Sequence, residues 1–218
     1  METRAITLSE NSAFAVPRGM LGEWGLSVLV ERDGQKVLLD SGSGISAARN
    51  GDLLGIDWEA IEAIVLSHGH YDHTGGLRDV LPKIRRRVKV IGHPDVFEEK
   101  FIQFSKNDPP RYIGIPFHRA ELESLGADFQ LTGKPTWLSE NVVTSGEIPM
   151  ITDFETIDPG LCVRENGQIV PDPLRDDQAL FVKTAPGLLV VLGCAHRGII
   201  NTLHHARNVT GMENIYLS

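Results

Sequence analysis

The sequence predicts a layered α/β protein built as one domain. Three observations carry that expectation. Apolar runs at 61–66, 88–91 and 188–192 have strand length and are too short for buried helices. Helical patterns precede the first run, at 45–50 and 57–62, and separate it from the second, at 77–81. Turn signals punctuate the remainder, with Asp33-Gly34, Asn166-Gly167 and Pro186-Gly187 between β-like segments. Strands interleaved with helices imply sheets covered by helices. A chain of 218 residues is long enough to bury a substantial core and short enough for a single domain, 1–218.

Taken in order, residues 1–12 are polar and read as an edge strand or a loose end. Segments 26–30 and 36–39 are β-like, joined through Arg32-Asp33-Gly34, and Asp40-Ser41-Gly42-Ser43-Gly44 ends the second. Short helices at 45–50 and 57–62 precede the buried strand 61–66. A helix over 77–81 is expected to stop at Pro82, which lacks the N–H to continue it. Strand 88–91 ends at Gly92-His93-Pro94, with a helix from Asp95 onward; His93 fits either a turn or a site lining. Residues 103–120 look irregular, and so long a loop in a compact domain is usually a lid or a binding loop. Strand 142–145, the hairpin 162–164 with 168–170, and the stronger hairpin 177–184 with 188–193 follow. Pro171-Asp172-Pro173 separates the two hairpins. Helix 198–209, whose N-terminus suits an anion, and a strand at 214–217 complete the reading.

Composition narrows the function classes. With 41% hydrophobic and 23% charged residues, the chain is ordinary for a soluble globular protein. A net charge of −8 provides no electrostatic footprint for nucleic acid. Cys162 and Cys194 are too few for a disulfide framework, so a reducing cytoplasm is the expected location. Met1-Glu2-Thr3-Arg4 opens no long apolar segment of a secretory signal. No apolar run approaches the roughly 20 residues of a membrane helix. Neither nucleic acid nor membrane is expected as a partner.

The chemistry concentrates in His68-Gly69-His70-Tyr71-Asp72-His73-Thr74-Gly75-Gly76, where four potential metal ligands lie within six residues. His68 and His70 are two apart, so an extended backbone points both imidazoles the same way. Asp72 and His73 follow where the chain bends, and can face a second point. Imidazole suits Zn, Fe or Ni, and a carboxylate shifts the set toward Mn. Two ions about 3.5–4 Å apart can share one hydroxide and clamp both attacking and leaving oxygens. Such a centre needs no Ser or Cys nucleophile. A solvated polar turn is the plain alternative, and three His with one Asp directly after a buried strand argue against it. Asp40 reads either as a turn former or as a carboxylate that orients a ligand His. Loop 103–120 offers Lys106, Arg111, His118 and Arg119 beside aromatic rings, which suits a phosphorylated small molecule with a flat ring. Its alternative is a surface loop of solvated charges.

His-x-His-x-Asp-His followed by Thr-Gly-Gly resembles the signature of the metallo-β-lactamase superfamily. Residues 25–42 resemble its N-terminal hairpin, which ends in an Asp-x-Gly that supports the metal loop. Three later stretches are similar to a narrower group: Thr144-Ser145-Gly146-Glu147-Ile148-Pro149, Asp176-Asp177-Gln178-Ala179-Leu180, and Gly193-Cys194-Ala195-His196-Arg197-Gly198-Ile199-Ile200-Asn201-Thr202. That group holds archaeal dihydropterin–ribofuranosylaminobenzene-phosphate synthases and many bacterial metal-dependent hydrolases. The resemblance implies a four-layer αββα sandwich. It implies His68, His70, Asp72, His73 and His196 as ligands of a divalent transition metal, two ions of Zn or of Mn or Fe, with Cys194 an alternative to His196. The plain reading of Cys194 is a small buried residue. Glu147 stands near where many relatives present a His, and a direct ligand, a general base and a structural acid all remain open for it. Relatives continue past 214–217 into a Gly-Gly-Phe-His segment, whereas this chain stops at Ser218. The last C-terminal elements are therefore expected to be lacking. A partner subunit, a water or Glu147 would fill the ligand position, and a homodimer is compatible with that.

The functional expectation is a metal-dependent hydrolase of a phosphate ester or phosphodiester. Metal-bound hydroxide attacks, Asp72 and Glu147 are the catalytic candidates, and Arg111, His118 and Arg119 are the substrate candidates. The alternative is a transferase that condenses a dihydropterin pyrophosphate with an arylamine ribose phosphate. A non-catalytic metal-binding relative is the second alternative. A redox di-iron protein is disfavoured, because relatives of that type carry Glu where His70 stands.

Overall fold

Turn chemistry organises the first sheet. Asp33 and Gly34 both take positive φ, 51° and 88°, which supplies the twist that adjoining antiparallel strands need. In this computed structural model the chain runs β1 (Thr3–Ser9), β2 (Ser27–Arg32), β3 (Gln35–Leu39), α1 (Ser46–Leu53), β4 (Ala63–Val65), α2 (Tyr71–Thr74), α3 (Leu77–Ile84) and β5 (Val88–Gly92). It continues β6 (Lys100–Ile102), β7 (Arg111–Tyr112), α4 (Arg119–Ser124), β8 (Ala127–Leu131), β9 (Thr136–Trp137) and β10 (Val142–Thr144). The last elements are β11 (Leu161–Glu165), β12 (Gln168–Pro171), β13 (Ala179–Lys183), β14 (Leu188–Leu192), α5 (Ile199–Thr210) and β15 (Ile215–Tyr216). The structure describes every residue except Met1, Phe14, Val16, Lys106, Leu217 and Ser218. Lys106, one of the cations expected of loop 103–120, therefore lies outside the described residues.

The chain forms two compact units, each drawn from non-contiguous segments. The first comprises Met1–Leu66, Tyr71–Gly92 and Pro116–Leu131. Its sheet has the order β1-β2-β3-β4-β5-β8. β1 to β3 pair antiparallel, and β3, β4, β5 and β8 pair parallel. Parallel neighbours require crossovers, which α1, the α2–α3 pair and α4 supply. Ala63, Ile64 and Val65 of β4 are all buried, as a strand covered on both faces must be. β1 is the sheet edge, so the edge-strand reading of the N-terminal segment holds over Thr3–Ser9.

The second unit comprises Ser67–His70, His93–Ile115 and Thr132–Ser218. It holds a five-stranded sheet, β15-β14-β13-β10-β9, and a four-stranded sheet, β12-β11-β6-β7. Asn166 and Gly167, at φ 49° and 81°, turn β11 into β12. β13 and β14 form the expected hairpin, paired from Ala179–Leu192 to Lys183–Leu188. Val143, Ala179, Phe181, Leu188 and Ala206 make the core between this sheet and α5.

Some local expectations give way to packing. Pro82 lies inside α3 rather than ending it. It removes one helical hydrogen bond, while Leu77, Val80, Leu81 and Ile84 bury a continuous apolar stripe that outweighs the loss. The helix stops at Arg85, at φ 55°. Segment 57–62 is helical only as a 3-10 turn over Trp58–Ala60, because Ile61 is already extended. The helix expected from Asp95 is likewise one 3-10 turn, Pro94–Phe97, since Lys100–Ile102 are taken by pairing with β11. His93 caps that turn, its Nδ1 accepting the Asp95 N–H at 3.1 Å. Loop 103–120 is partly regular, with β7 in its middle and α4 at its end. No helix among the described residues is long and apolar enough to cross a membrane.

Candidate metal centre

β4 delivers the chain to Ser67, and the next residues carry imidazoles into the second unit. His68 and His70 are buried, at 0% and 5% exposure. His196 lies four residues beyond β14, just after Ala195 at φ 50°. The three rings converge, with centroid separations of 4.5, 4.8 and 5.0 Å. His68 Nε2 is 3.0 Å from His70 Nδ1 and 3.3 Å from His196 Nε2. His68 Nδ1 lies 2.9 Å from the Ser67 hydroxyl. Donation from Nδ1 to that oxygen leaves the Nε2 lone pair facing the other two rings.

These separations suit a cation. Around a tetrahedral ion with metal–nitrogen bonds near 2.0–2.1 Å, neighbouring nitrogens stand about 3.3–3.4 Å apart. Two imidazole nitrogens that face each other can share one proton, whereas a cation lets several lone pairs point at one place. Cys194 adds a soft donor: the ligand atoms of His68, Cys194 and His196 lie within 4.8 Å of one another. Cys194 is exposed rather than buried, so its plain packing reading does not hold.

A polar framework holds both imidazole-bearing loops. The Gly69 N–H, between His68 and His70, donates to Asp176 Oδ2 at 2.8 Å. A Cβ at Gly69 would stand 2.2 Å from the Val96 carbonyl oxygen, so only glycine fits there. The Gln178 N–H donates to the Ser67 carbonyl at 2.8 Å. On the other loop, the Arg197 N–H donates to Asp177 Oδ2 at 2.9 Å. Beneath lies Lys100, fully buried, whose Nζ is 2.9 Å from both Asp172 Oδ2 and Asp176 Oδ1. Burial pulls the Lys100 ammonium down, but the Asp176 and Asp172 carboxylates overcome it and hold its pKa above the ordinary value. Burial pushes Asp176 up against the pull of Lys100. It pushes Asp177 up to about 7, with the Arg197 N–H working against it.

Glu147 pairs with Arg197, Oε1 to Nη1 at 3.0 Å. Among the described residues, Cys194 rather than Glu147 completes the donor group around His68. The guanidinium engages the carboxylate, which gives Glu147 a structural partner. The anion position expected at the start of α5 is filled by the chain itself. Glu155 accepts the Ile200 and Asn201 N–H groups, both at 2.8 Å. A carboxylate capping a helix N-terminus satisfies its free donors and its dipole together.

Asp72 and His73 continue the motif in the first unit, on α2. His73 Nε2 is 3.7 Å from Asp72 Oδ2. On the opposite edge of the ring, His73 Nδ1 is 2.6 Å from Asp40 Oδ2, and Asp40 is fully buried. That contact orients the imidazole and leaves Nε2 directed at Asp72. Gly25 lets the hairpin approach this turn: its Cβ would stand 2.1 Å from the Asp72 carbonyl oxygen.

The expected substrate residues belong to different elements. Arg111 lies on β7 in the second unit, exposed, and three residues later Gly114 forms a β-bridge with His70. His118 and Arg119 belong to the first unit, at the start of α4. Arg119 is tied to Glu123 at 2.8 Å and stacks over Phe129. Lys100 and Asp172 escaped the sequence reading. Lys100 sits in a segment of helical appearance and Asp172 between two prolines, and no local signal marks either as buried. Asp176-Asp177-Gln178 stood out as a motif without an assigned role.

Known proteins agree with this picture. The family model of the metallo-β-lactamase superfamily matches residues 25–165. An uncharacterized protein of Methanocaldococcus jannaschii is 30% identical over 208 residues, covering 95% of this chain and 75% of that protein. The 7,8-dihydropterin-6-methyl-4-(β-D-ribofuranosyl)-aminobenzene-5'-phosphate synthase of the same organism is 30% identical over 206 residues, covering 88% of this chain and 68% of the synthase. A crystal structure described as a metal-dependent hydrolase of the β-lactamase superfamily superposes with a TM-score of 0.79 at 28% identity, over 97% of this chain and 73% of that one.

Proposed function

Because this chain belongs to the metallo-β-lactamase superfamily, we propose that it is a metal-dependent hydrolase of a small phosphate ester or phosphodiester. The observation that carries the reading is the approach of His68 Nε2 to His70 Nδ1 and His196 Nε2, at 3.0 and 3.3 Å. In this reading those imidazoles, with Cys194, hold one divalent transition metal, Zn or else Mn or Fe. Asp72 and His73 contribute to a second, and Asp40 keeps His73 Nε2 directed at its ligand position. Such ions supply Lewis-acid polarisation of a phosphoryl oxygen and a nucleophile at neutral pH. Asp72 then serves as the acid–base group, and Arg111 binds the phosphate through its guanidinium fork. Glu147 acts through Arg197, its ion partner at 3.0 Å.

A second reading is favoured by one observation, the synthase that is 30% identical over 88% of this chain. There the same donors would draw off a pyrophosphate leaving group while an arylamine ribose phosphate attacks the dihydropterin. One experiment separates the two. The chain is stripped of metal and reloaded with Zn, Mn or Fe. It is then assayed on bis(p-nitrophenyl) phosphate, and on a dihydropterin pyrophosphate with and without the arylamine. The hydrolase reading expects nitrophenol release that His68→Ala abolishes. Pyrophosphate release that depends on the arylamine, with no diester turnover, would replace it by the transferase.

A further inference from the structure

Three consecutive residues touch both arms of the imidazole cluster. Asp176 Oδ2 accepts the Gly69 N–H at 2.8 Å. The Gln178 N–H donates to the Ser67 carbonyl at 2.8 Å. These two contacts bracket His68 from either side. Between them in sequence, Asp177 Oδ2 accepts the Arg197 N–H at 2.9 Å, immediately after His196. The first arm lies 107 residues from Asp176, and the second lies 20 residues from Asp177.

The bracket is itself held rigidly. Lys100 Nζ grips Asp176 Oδ1 and Asp172 Oδ2, both at 2.9 Å. Asp172 Oδ1 accepts the Leu174 N–H at 2.7 Å, and the Asp177 N–H returns to the Leu174 carbonyl at 3.1 Å. Asp176 and Asp177 are 0% and 1% exposed, so water does not compete for these bonds. The bonds to the two arms are made to backbone atoms of Ser67, Gly69 and Arg197. The network holds backbone, and therefore sets where the rings start from.

We propose that Asp176, Asp177 and Gln178 are positioning residues that fix the span between the His68–His70 arm and the His196 arm, and so the geometry of the metal they bind. The inference rests on the metal reading of those imidazoles. Asp176 governs the first arm and Asp177 the second, and because they are neighbours in the chain the two arms cannot drift independently. Outer partners of this kind typically change metal affinity by about 10–100-fold when removed.

The test uses the full chain loaded with cobalt(II), whose absorption spectrum reports ligand number and geometry. Affinity is read by chelator competition for the wild type, Asp177→Ala and Asp177→Asn. Asparagine keeps an acceptor oxygen in place; alanine does not. Asp177→Ala is expected to weaken cobalt binding by about 10–100-fold and to alter the spectrum, while Asp177→Asn restores both. Thermal unfolding of the metal-free variants shows which are folded. Should alanine fail to fold, Asp177→Ser, whose hydroxyl stops short of the Arg197 N–H, carries the same expectation. Wild-type affinity and spectrum in the folded alanine or serine variant would overturn the proposal. An asparagine variant as weak as alanine would overturn it too. A wild type that binds no cobalt would overturn the metal reading, and the bracket with it.

Discussion

Lys100→Met isolates the energetic core of the second unit. Lys100 is fully buried, with its ammonium 2.9 Å from one oxygen each of Asp172 and Asp176. Methionine fills similar volume but leaves two buried carboxylates without their cation. Removing one partner of a buried ion pair costs about 3–5 kcal/mol. For a domain of this size each kcal/mol lowers the melting temperature by roughly 2–4 °C, so a drop of about 6–20 °C is expected. The loss must also depend on pH. Burial already raises Asp176 above its ordinary value, and Lys100 opposes that rise. Without Lys100 the folded-state pKa climbs further, while the unfolded value does not change. The folded variant then retains a proton that the unfolded chain has released, so its stability falls as pH rises above about 4. Urea unfolding at pH 5.5 and pH 8, followed by circular dichroism, is the assay. A deficit under about 1 kcal/mol at pH 8, or a deficit that shrinks as pH rises, would refute the reasoning. Replacing both aspartates by asparagine in the Lys100→Met background should recover part of the loss, because the buried charge is gone.

Other outcomes follow from single contacts. Asp177 is pushed up to about 7 by burial. The metal-free chain should therefore lose stability between about pH 4 and pH 7, by an amount on the order of 4 kcal/mol, and level off above. Asp177→Asn should flatten that slope, and urea midpoints measured across the range, with chelator present, check it. Gly25→Ala should destabilise by about 1–3 kcal/mol or more, because its Cβ would meet the Asp72 carbonyl oxygen at 2.1 Å and φ is 137°; a melting temperature equal to that of the wild type would contradict this. Glu155→Ala removes the cap that two N–H groups of α5 share. It should cost about 1–2 kcal/mol, read as a lower urea midpoint, and an unchanged midpoint would count against the capping role.

The legible part of the candidate site is its local part. His68, His70, Asp72 and His73 declare themselves because residue type and a spacing of one or two mark a run of donors whatever the rest of the chain does. Strand β4 was visible for a similar reason, since three consecutive buried apolar residues leave few alternatives. The turns at Asp33-Gly34 and Asn166-Gly167 followed from the φ values that only certain residues tolerate. Local reasoning went astray where distant pairing decided the outcome. Lys100–Ile102 is a strand because β11 is available to pair with it, and Pro82 stays helical because a buried stripe on either side holds it there. The ion partners of Arg119 and Glu147, Glu123 and Arg197, likewise carried no local signal.

Residue type and order alone mark the candidate donors His68, His70, Asp72 and His73 and set them directly after a buried strand. Tertiary structure decided which oxygens hold them in place. Asp40 reaches His73 across 33 residues, Asp176 reaches Gly69 across 107, and His196 reaches His68 across 128. An aspartate on a loop and an aspartate in a buried bracket are the same letter. The difference between them is the loss of water around the carboxylate and the backbone N–H that replaces it, and both arise only when segments far apart in the chain are folded against each other.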